Sequence, residues 1–118
     1  MIKLIALDLD GTLLDPAGRV TEGTKAAVAA ARQAGLRVVL NTGRSIPEAI
    51  WFAAQAGCDD LISCLGGAAL VSGRTGEVLR RRDTGEPSGR RALELCLNRQ
   101  IELMIFAGDE ILLDPFSK

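Results

Sequence analysis

The chain has 118 residues, 47% of them hydrophobic, and its 14 basic and 15 acidic side chains leave a formal net charge of −1. That is one ordinary domain or less with enough apolar residues for a core, and its balanced charge offers no field to attract nucleic acid or an anionic membrane. The absence of histidine removes the usual general base and the Ser-His and Cys-His nucleophile systems, so any catalysis must use carboxylates, a metal, or Lys and Arg.

The chain opens on the apolar run Met1 to Leu7, which reads as a strand buried on both faces, as in a parallel sheet. Asp8-Leu9-Asp10-Gly11-Thr12-Leu13-Leu14 comes directly after it. In open α/β sheets ligands bind just beyond the carboxyl ends of strands, so a reaction centre is expected at Asp8 and Asp10. After a Pro- and Gly-punctuated loop from Leu14 to Arg19, Thr21 caps a helix over Glu22 to Ala34, stopped by Gly35. Arg37 to Leu40 is a second strand, completing a βαβ unit with a right-handed crossover.

That strand ends in Asn41-Thr42-Gly43-Arg44, and Ser45-Ile46-Pro47-Glu48 forms a capping box opening a helix to about Ala56, ended by Gly57. Leu61 to Leu65 is a third strand. The alternation of strands and helices predicts an α/β fold, a partial Rossmann-like parallel sheet core with helices on its faces. From Gly66 the alternation stops. Ala68 to Val71 and Glu77 to Arg80 predict a β-hairpin, Pro87-Ser88 a helix to about Arg99, and Glu102 to Ala107 with Glu110 to Leu113 a second hairpin turning at Gly108-Asp109. The expected boundary lies near residue 83, dividing a core over residues 1–83 from the start of an α+β element over residues 84–118.

No apolar run approaches the roughly 18 residues of a membrane span and no signal peptide opens the chain, so a cytoplasmic protein is expected. Cys58, Cys64 and Cys96 are odd in number and lack CxxC spacing, which predicts buried free thiols rather than disulfides or a zinc site. Arg80-Arg81-Arg82 and Arg90-Arg91 read as solvated residues, and Trp51 as a packing residue.

Asp8 and Asp10 are two residues apart at a strand end, so both fall on the same side. They can share a hard cation such as Mg²⁺, which relieves their repulsion and keeps coordination sites for water and a phosphate oxygen. Asp8 could then attack phosphorus, Asp10 could protonate the leaving oxygen and activate water, and backbone N–H groups of the Gly11 turn could cradle the phosphate. The spacing alone equally fits an ordinary polar strand-to-turn transition. The longer string is more specific: Asp8-Leu9-Asp10-Gly11-Thr12 resembles the first motif of the haloacid dehalogenase superfamily, and Thr42-Gly43-Arg44 is similar to the Cof-like sugar-phosphate phosphatase branch.

By that resemblance Asp8 is the nucleophile, Asp10 the acid/base, and Thr42 the hydroxyl that binds the transferred phosphoryl group. The resemblance implies Mg²⁺ held by the Asp8 carboxylate and the Asp10 backbone carbonyl, and makes the α+β element the start of a cap. Leu9, Gly11 and Gly43 are candidate phosphate-binding residues through their backbone N–H groups, and Arg44 either binds a substrate anion or forms a surface ion pair. The expected function is a Mg²⁺-dependent phosphatase of small phosphorylated metabolites. Two features depart from the family pattern. Gly66-Gly67-Ala68 stands where the branch commonly has Asn-Gly-Ala. The later Lys and acidic motif that complete the site are not reached before Lys118, so an N-terminal portion is expected, with the opening strand left at an exposed sheet edge that invites a homo-oligomer. A non-catalytic fragment or phosphate-binding module, homodimeric through that edge, is the alternative, and a response-regulator-like phosphoacceptor fits the first-strand position of the motif poorly.

Overall fold

Three parallel strands support the loops that carry both motifs. They are β1 (Leu4–Leu7), β2 (Arg37–Asn41) and β3 (Leu61–Cys64), adjacent in that order, with Leu7 opposite Leu40 and Asn41 opposite Ser63. The structure is a computed structural model and describes residues 1–108 and 110–113. Within it the chain divides into two units, Met1–Arg81 and Arg82–Lys118.

In the first unit, α1 (Glu22–Gln33) joins β1 to β2, and α2 (Ile46–Ala56) joins β2 to β3. Thr21 caps α1 by accepting the Thr24 N–H at 3.1 Å, and Gly57 ends α2 in the left-handed region with φ 73°. The two helices touch each other and β2, so they share one face of the sheet. Two crossovers of the same hand, stepping in one direction across the sheet, necessarily put both helices on the same side. Between helices and sheet lies the core: Leu9, Leu13, Leu40, Ile62, Cys64 and Val71 against Ile46, Ala49, Phe52, Ala53 and Ala56.

The hairpin read from the sequence does not stand apart. Strands β4 (Ala69–Ser72) and β5 (Val78–Arg81) continue the same sheet as antiparallel members, giving the order β1-β2-β3-β4-β5. The link from Cys64 to Ala69 is too short for a crossover helix, so β4 must reverse direction. The α/β fold is as expected from the alternation of elements, but two details differ. Within the first unit α1 and α2 cover one face rather than both, and Leu4 and Leu61 on the other face are 50% and 42% exposed. Among the described residues β1 pairs only with β2, the exposed edge expected of the opening strand, but it has no buried residue and so is not the strand buried on both faces that its apolar run predicts. An apolar run reports the preference of its side chains, not how many neighbours the chain supplies.

Gly73 comes just after β4, where a Cβ would lie 2.9 Å from Ile62 Cδ1 and 3.3 Å from the Asp60 carbonyl oxygen. Gly73→Ala is therefore expected to cost about 1–3 kcal/mol through overpacking. A lowered urea midpoint at unchanged slope would show it, whereas an unchanged midpoint would mean that Ile62 repacks freely.

The second unit contains α3 (Glu86–Asn98) and the antiparallel pair β6 (Met104–Ala107) and β7 (Glu110–Leu113). Its hairpin turn includes Gly108 in the left-handed region, while Asp109 lies outside the described residues. On α3, Leu93 and Cys96 are half-buried, and Arg90 pairs with Glu86 at 2.9 Å. All three cysteines are free thiols; Cys64 is buried as expected, but Cys58 and Cys96 are only half-buried. Burial pushes the Cys58 and Cys64 thiols up, which keeps them protonated and unreactive. Among the described residues no helix is long and apolar enough to cross a membrane.

Candidate active site

Parallel pairing brings the carboxyl ends of β1, β2 and β3 to one end of the sheet, where Asp8, Thr42 and Leu65 each come next as the strands give out. Alternation persists past β1. Leu9 is fully buried in the core, while Asp8 and Asp10 on either side of it are exposed. The side chain of Leu9 is thus a core anchor, and only its backbone is left to face a ligand. Gly11 then reverses the chain at φ 75° and ψ 3°. A Cβ there would meet nothing within 4 Å, so the need for glycine lies in the backbone conformation alone. The turn closes with the Leu14 N–H donating to the Leu9 carbonyl at 3.1 Å.

Asp15 ties the next loop. Its Oδ1 accepts the N–H groups of Ala17 and Arg19, each at 2.9 Å, and its Oδ2 accepts from Arg19 Nε at 3.0 Å. Hydrogen bonds from Arg19, first from its backbone, hold the Asp15 carboxyl below the usual carboxylate range.

Thr42 is 3% exposed, and its N–H donates to the Ser63 carbonyl at 2.9 Å. Its Oγ1 accepts the Arg44 N–H at 3.2 Å, leaving the hydroxyl proton for another acceptor. Gly43 beside it is exposed, and a Cβ there would meet nothing within 4 Å. The third loop braces the second: Leu65 N–H donates to the Arg44 carbonyl at 3.0 Å, and Gly66 N–H to that of Thr42 at 3.1 Å. Leu65, Gly66 and Gly67 are successive left-handed residues with φ of 53°, 63° and 91°. For Leu65, which has a Cβ, that conformation costs about 1–2 kcal/mol, and the two hydrogen bonds hold it in place.

Arg44 joins the first and second loops. Its Nε and Nη2 donate to Asp10 Oδ2 at 3.0 Å and Oδ1 at 2.7 Å, a bidentate pair, and its Nη1 donates to Glu48 Oε1 at 2.9 Å. The guanidinium also stands 5.3 Å from the centroid of the Phe52 ring. Hydrogen bonding from Arg44 holds the Asp10 carboxyl below its usual range, the two carboxylates raise Arg44 further, and Ser45 with Arg44 after it lowers Glu48. Arg44, for which the sequence leaves open a substrate anion or a surface ion pair, is in this state committed to protein carboxylates. Phe52, not Trp51, is the packed aromatic of α2: Phe52 is 8% exposed and Trp51 56%, with Trp51 edge-on to it at 4.6 Å. The inward positions Ala49, Phe52, Ala53 and Ala56 fix that helical phase.

The Asp8 carboxylate has no hydrogen-bond partner among the described residues. No grouping of three or more His, Cys, Asp or Glu that could hold a metal occurs among them either. The exposed Asp8 carboxylate is a hard oxygen donor of the kind Mg²⁺ takes, since that ion binds through one or two carboxylates and fills its shell with water and phosphate oxygens.

A family model for haloacid dehalogenase-like hydrolases matches residues 5–117. The chain belongs to that family. Among its relatives, the putative phosphatase YxeH of Bacillus subtilis is 31% identical over 114 residues, covering 94% of this chain and 42% of the relative. The 5-amino-6-(5-phospho-D-ribitylamino)uracil phosphatase YwtE of Bacillus subtilis is 30% identical over 119 residues, covering 98% and 39%. The structure of BT1666 from Bacteroides thetaiotaomicron, described among phosphatases of the superfamily, superposes with a TM-score of 0.79 at 26% identity, over 96% of this chain and 41% of that one. The chain thus spans about four-tenths of the length of these two relatives.

The sequence points to Asp8, Asp10, Thr42, Gly43 and Arg44, which the structure brings to this end of the sheet, but it reads Glu48 only as a helix-capping residue. The available signal was its spacing: a carboxylate four residues after Arg44, at the start of a helix, lies within reach of the guanidinium.

Proposed function

We propose that this chain carries the phosphoryl-transfer centre of a Mg²⁺-dependent phosphatase that acts on a small phosphorylated metabolite through an aspartyl-phosphate on Asp8. The observation that supports this reading most is the pairing of an exposed, unengaged Asp8 carboxylate with a neighbouring Asp10 tied up by Arg44. Of the two carboxylates, only Asp8 is free to attack. Its oxygen forms the bond to phosphorus as the bond to the leaving oxygen breaks, and Asp10 gives that oxygen a proton. Water then attacks the aspartyl-phosphate, Asp10 takes the proton back, and inorganic phosphate leaves with Asp8 restored.

The Thr42 hydroxyl and the backbone N–H groups of Leu9, Gly11 and Gly43 are the donors for the phosphoryl oxygens, close to the N-terminus of α2. The Asp8 carboxylate and the Asp10 backbone carbonyl would hold Mg²⁺, which when bound offsets the negative charge of those oxygens. Arg44 favours the ionised form of Asp10, the form the water step needs. A cytoplasmic setting suits both a metabolite substrate and three free thiols, and the balanced charge suits a small anion better than nucleic acid.

The test is hydrolysis of an aryl phosphate by the full chain with Mg²⁺ and with excess chelator. Turnover that is lost with chelator and restored by Mg²⁺ is the expected result; a rate indifferent to the metal would count against the proposal. A second reading, a non-catalytic phosphate-binding module paired through β1 with a second copy, draws on the unpaired edge of β1 and the half-exposed Leu4. Phosphate binding without turnover, together with a dimer mass in solution, would favour it.

A further inference from the structure

Glu48 divides its two carboxylate oxygens between two jobs. Oε2 accepts from the Ser45 N–H at 3.2 Å and from the Ser45 hydroxyl at 2.6 Å, closing the first turn of α2. Oε1 accepts from Arg44 Nη1 at 2.9 Å. The remaining guanidinium nitrogens of Arg44 grip both oxygens of Asp10, and the Phe52 ring lies 5.3 Å from the guanidinium carbon. Arg44 is therefore held on one side by a helix cap, on another by a buried ring, and only then by Asp10. Asp10 itself is exposed, on a turn containing a left-handed glycine, and among the described residues Arg44 is the only side chain that hydrogen-bonds its carboxylate.

We propose that Glu48 is a positioning residue: through Arg44 it fixes the rotamer of Asp10, so the start of α2 sets where the acid/base carboxylate stands. The functional part of this rests on the phosphatase reading above; the positioning part does not. A bidentate contact restricts rotation of a carboxylate that a single hydrogen bond would leave free. It can do so only if the guanidinium is itself anchored, and Glu48 supplies that anchor from a rigid helix.

Glu48→Gln separates the two jobs. Glutamine keeps one carbonyl oxygen, which is sufficient for a capping box at this position, but its amide is a donor and is repelled by Arg44 Nη1. A purely structural Glu48 would make this variant equivalent to the parent. In the unliganded chain, NMR couplings that report the Asp10 χ1 angle and the heteronuclear NOE of Arg44 Nε read the outcome. The expected result is one Asp10 rotamer and an ordered Nε–H in the parent, rotamer averaging with loss of the ordered signal in Glu48→Gln, and Asp10 averaging again in Arg44→Ala. If Asp10 keeps one rotamer in Glu48→Gln, the proposal is overturned, whatever Arg44→Ala shows.

With aryl phosphate as substrate, Glu48→Gln is expected to lower kcat about 10- to 100-fold with KM little changed, the usual scale for a displaced support. A fall confined to KM would also overturn the proposal. Should the parent chain show no Mg²⁺-dependent turnover, the phosphatase reading fails, and the NMR result still decides whether Glu48 positions Asp10.

Discussion

Asp8→Asn is expected to abolish capture of a phosphorylated chain after acid quench and to slow Mg²⁺-dependent hydrolysis of an aryl phosphate by at least about 10³-fold, the scale on which loss of a covalent nucleophile is felt. The amide is almost the same size as the carboxylate but is a feeble nucleophile. Asp8 is exposed and has no hydrogen-bond partner among the described residues, so nothing in the fold depends on its charge. The variant should therefore melt with the parent, which separates a chemical defect from a folding one. Equal rates in the two chains would remove Asp8 from the nucleophile's role. The comparison also tests the contrast with Asp10, whose carboxylate is already engaged by Arg44.

Leu40→Ala should have the largest effect on stability. Leu40 is fully buried, sits in β2 opposite both Leu7 and Ile62, and belongs to the cluster under α2. Losing its branched side chain removes transfer energy and leaves a cavity between sheet and helix, at a cost of about 2–5 kcal/mol. Small domains have about 5–15 kcal/mol in all, so a large share of the stability goes with one side chain. Urea unfolding tracked by circular dichroism would show a lower midpoint with the slope retained. A shift under about 1 kcal/mol would mean that the cluster collapses to fill the space. Because Asn41 and Thr42 come directly after Leu40, the same variant should loosen the seat of the Thr42 hydroxyl.

The local features were the most legible ones. Thr21, Gly35, Pro47 and Gly57 mark helix ends by chemistry that acts within a few residues, and α1 and α2 begin and end close to where those signals lie. Asp8 and Asp10 could be placed on one side of the chain because alternation is also local, and buried Leu9 between them obeys the same rule. Features that depended on distant partners were not readable. No periodicity connects Arg44 with Asp10, 34 positions earlier, and the open edge beside β1 is expected only through the family pattern, not from anything within Met1 to Leu7. Trp51 and Phe52 are adjacent aromatics; which of them faces the core is a matter of helical phase, and the inward-facing alanines settle it for Phe52.

Leu9 carries a consequence for how this centre responds to its interior. The backbone that carries the two exposed carboxylates is anchored between them by one side chain wholly submerged in the core, so the place from which each extends is not insulated from the packing below. Interiors are dense and pass small volume changes on to their neighbours. A silent-looking aliphatic exchange beneath Leu9 would be heard at the surface as a change in the spacing of the charged pair. Adaptation to a new temperature or a new substrate could thus be tuned from inside, with every polar residue of the site left as it is.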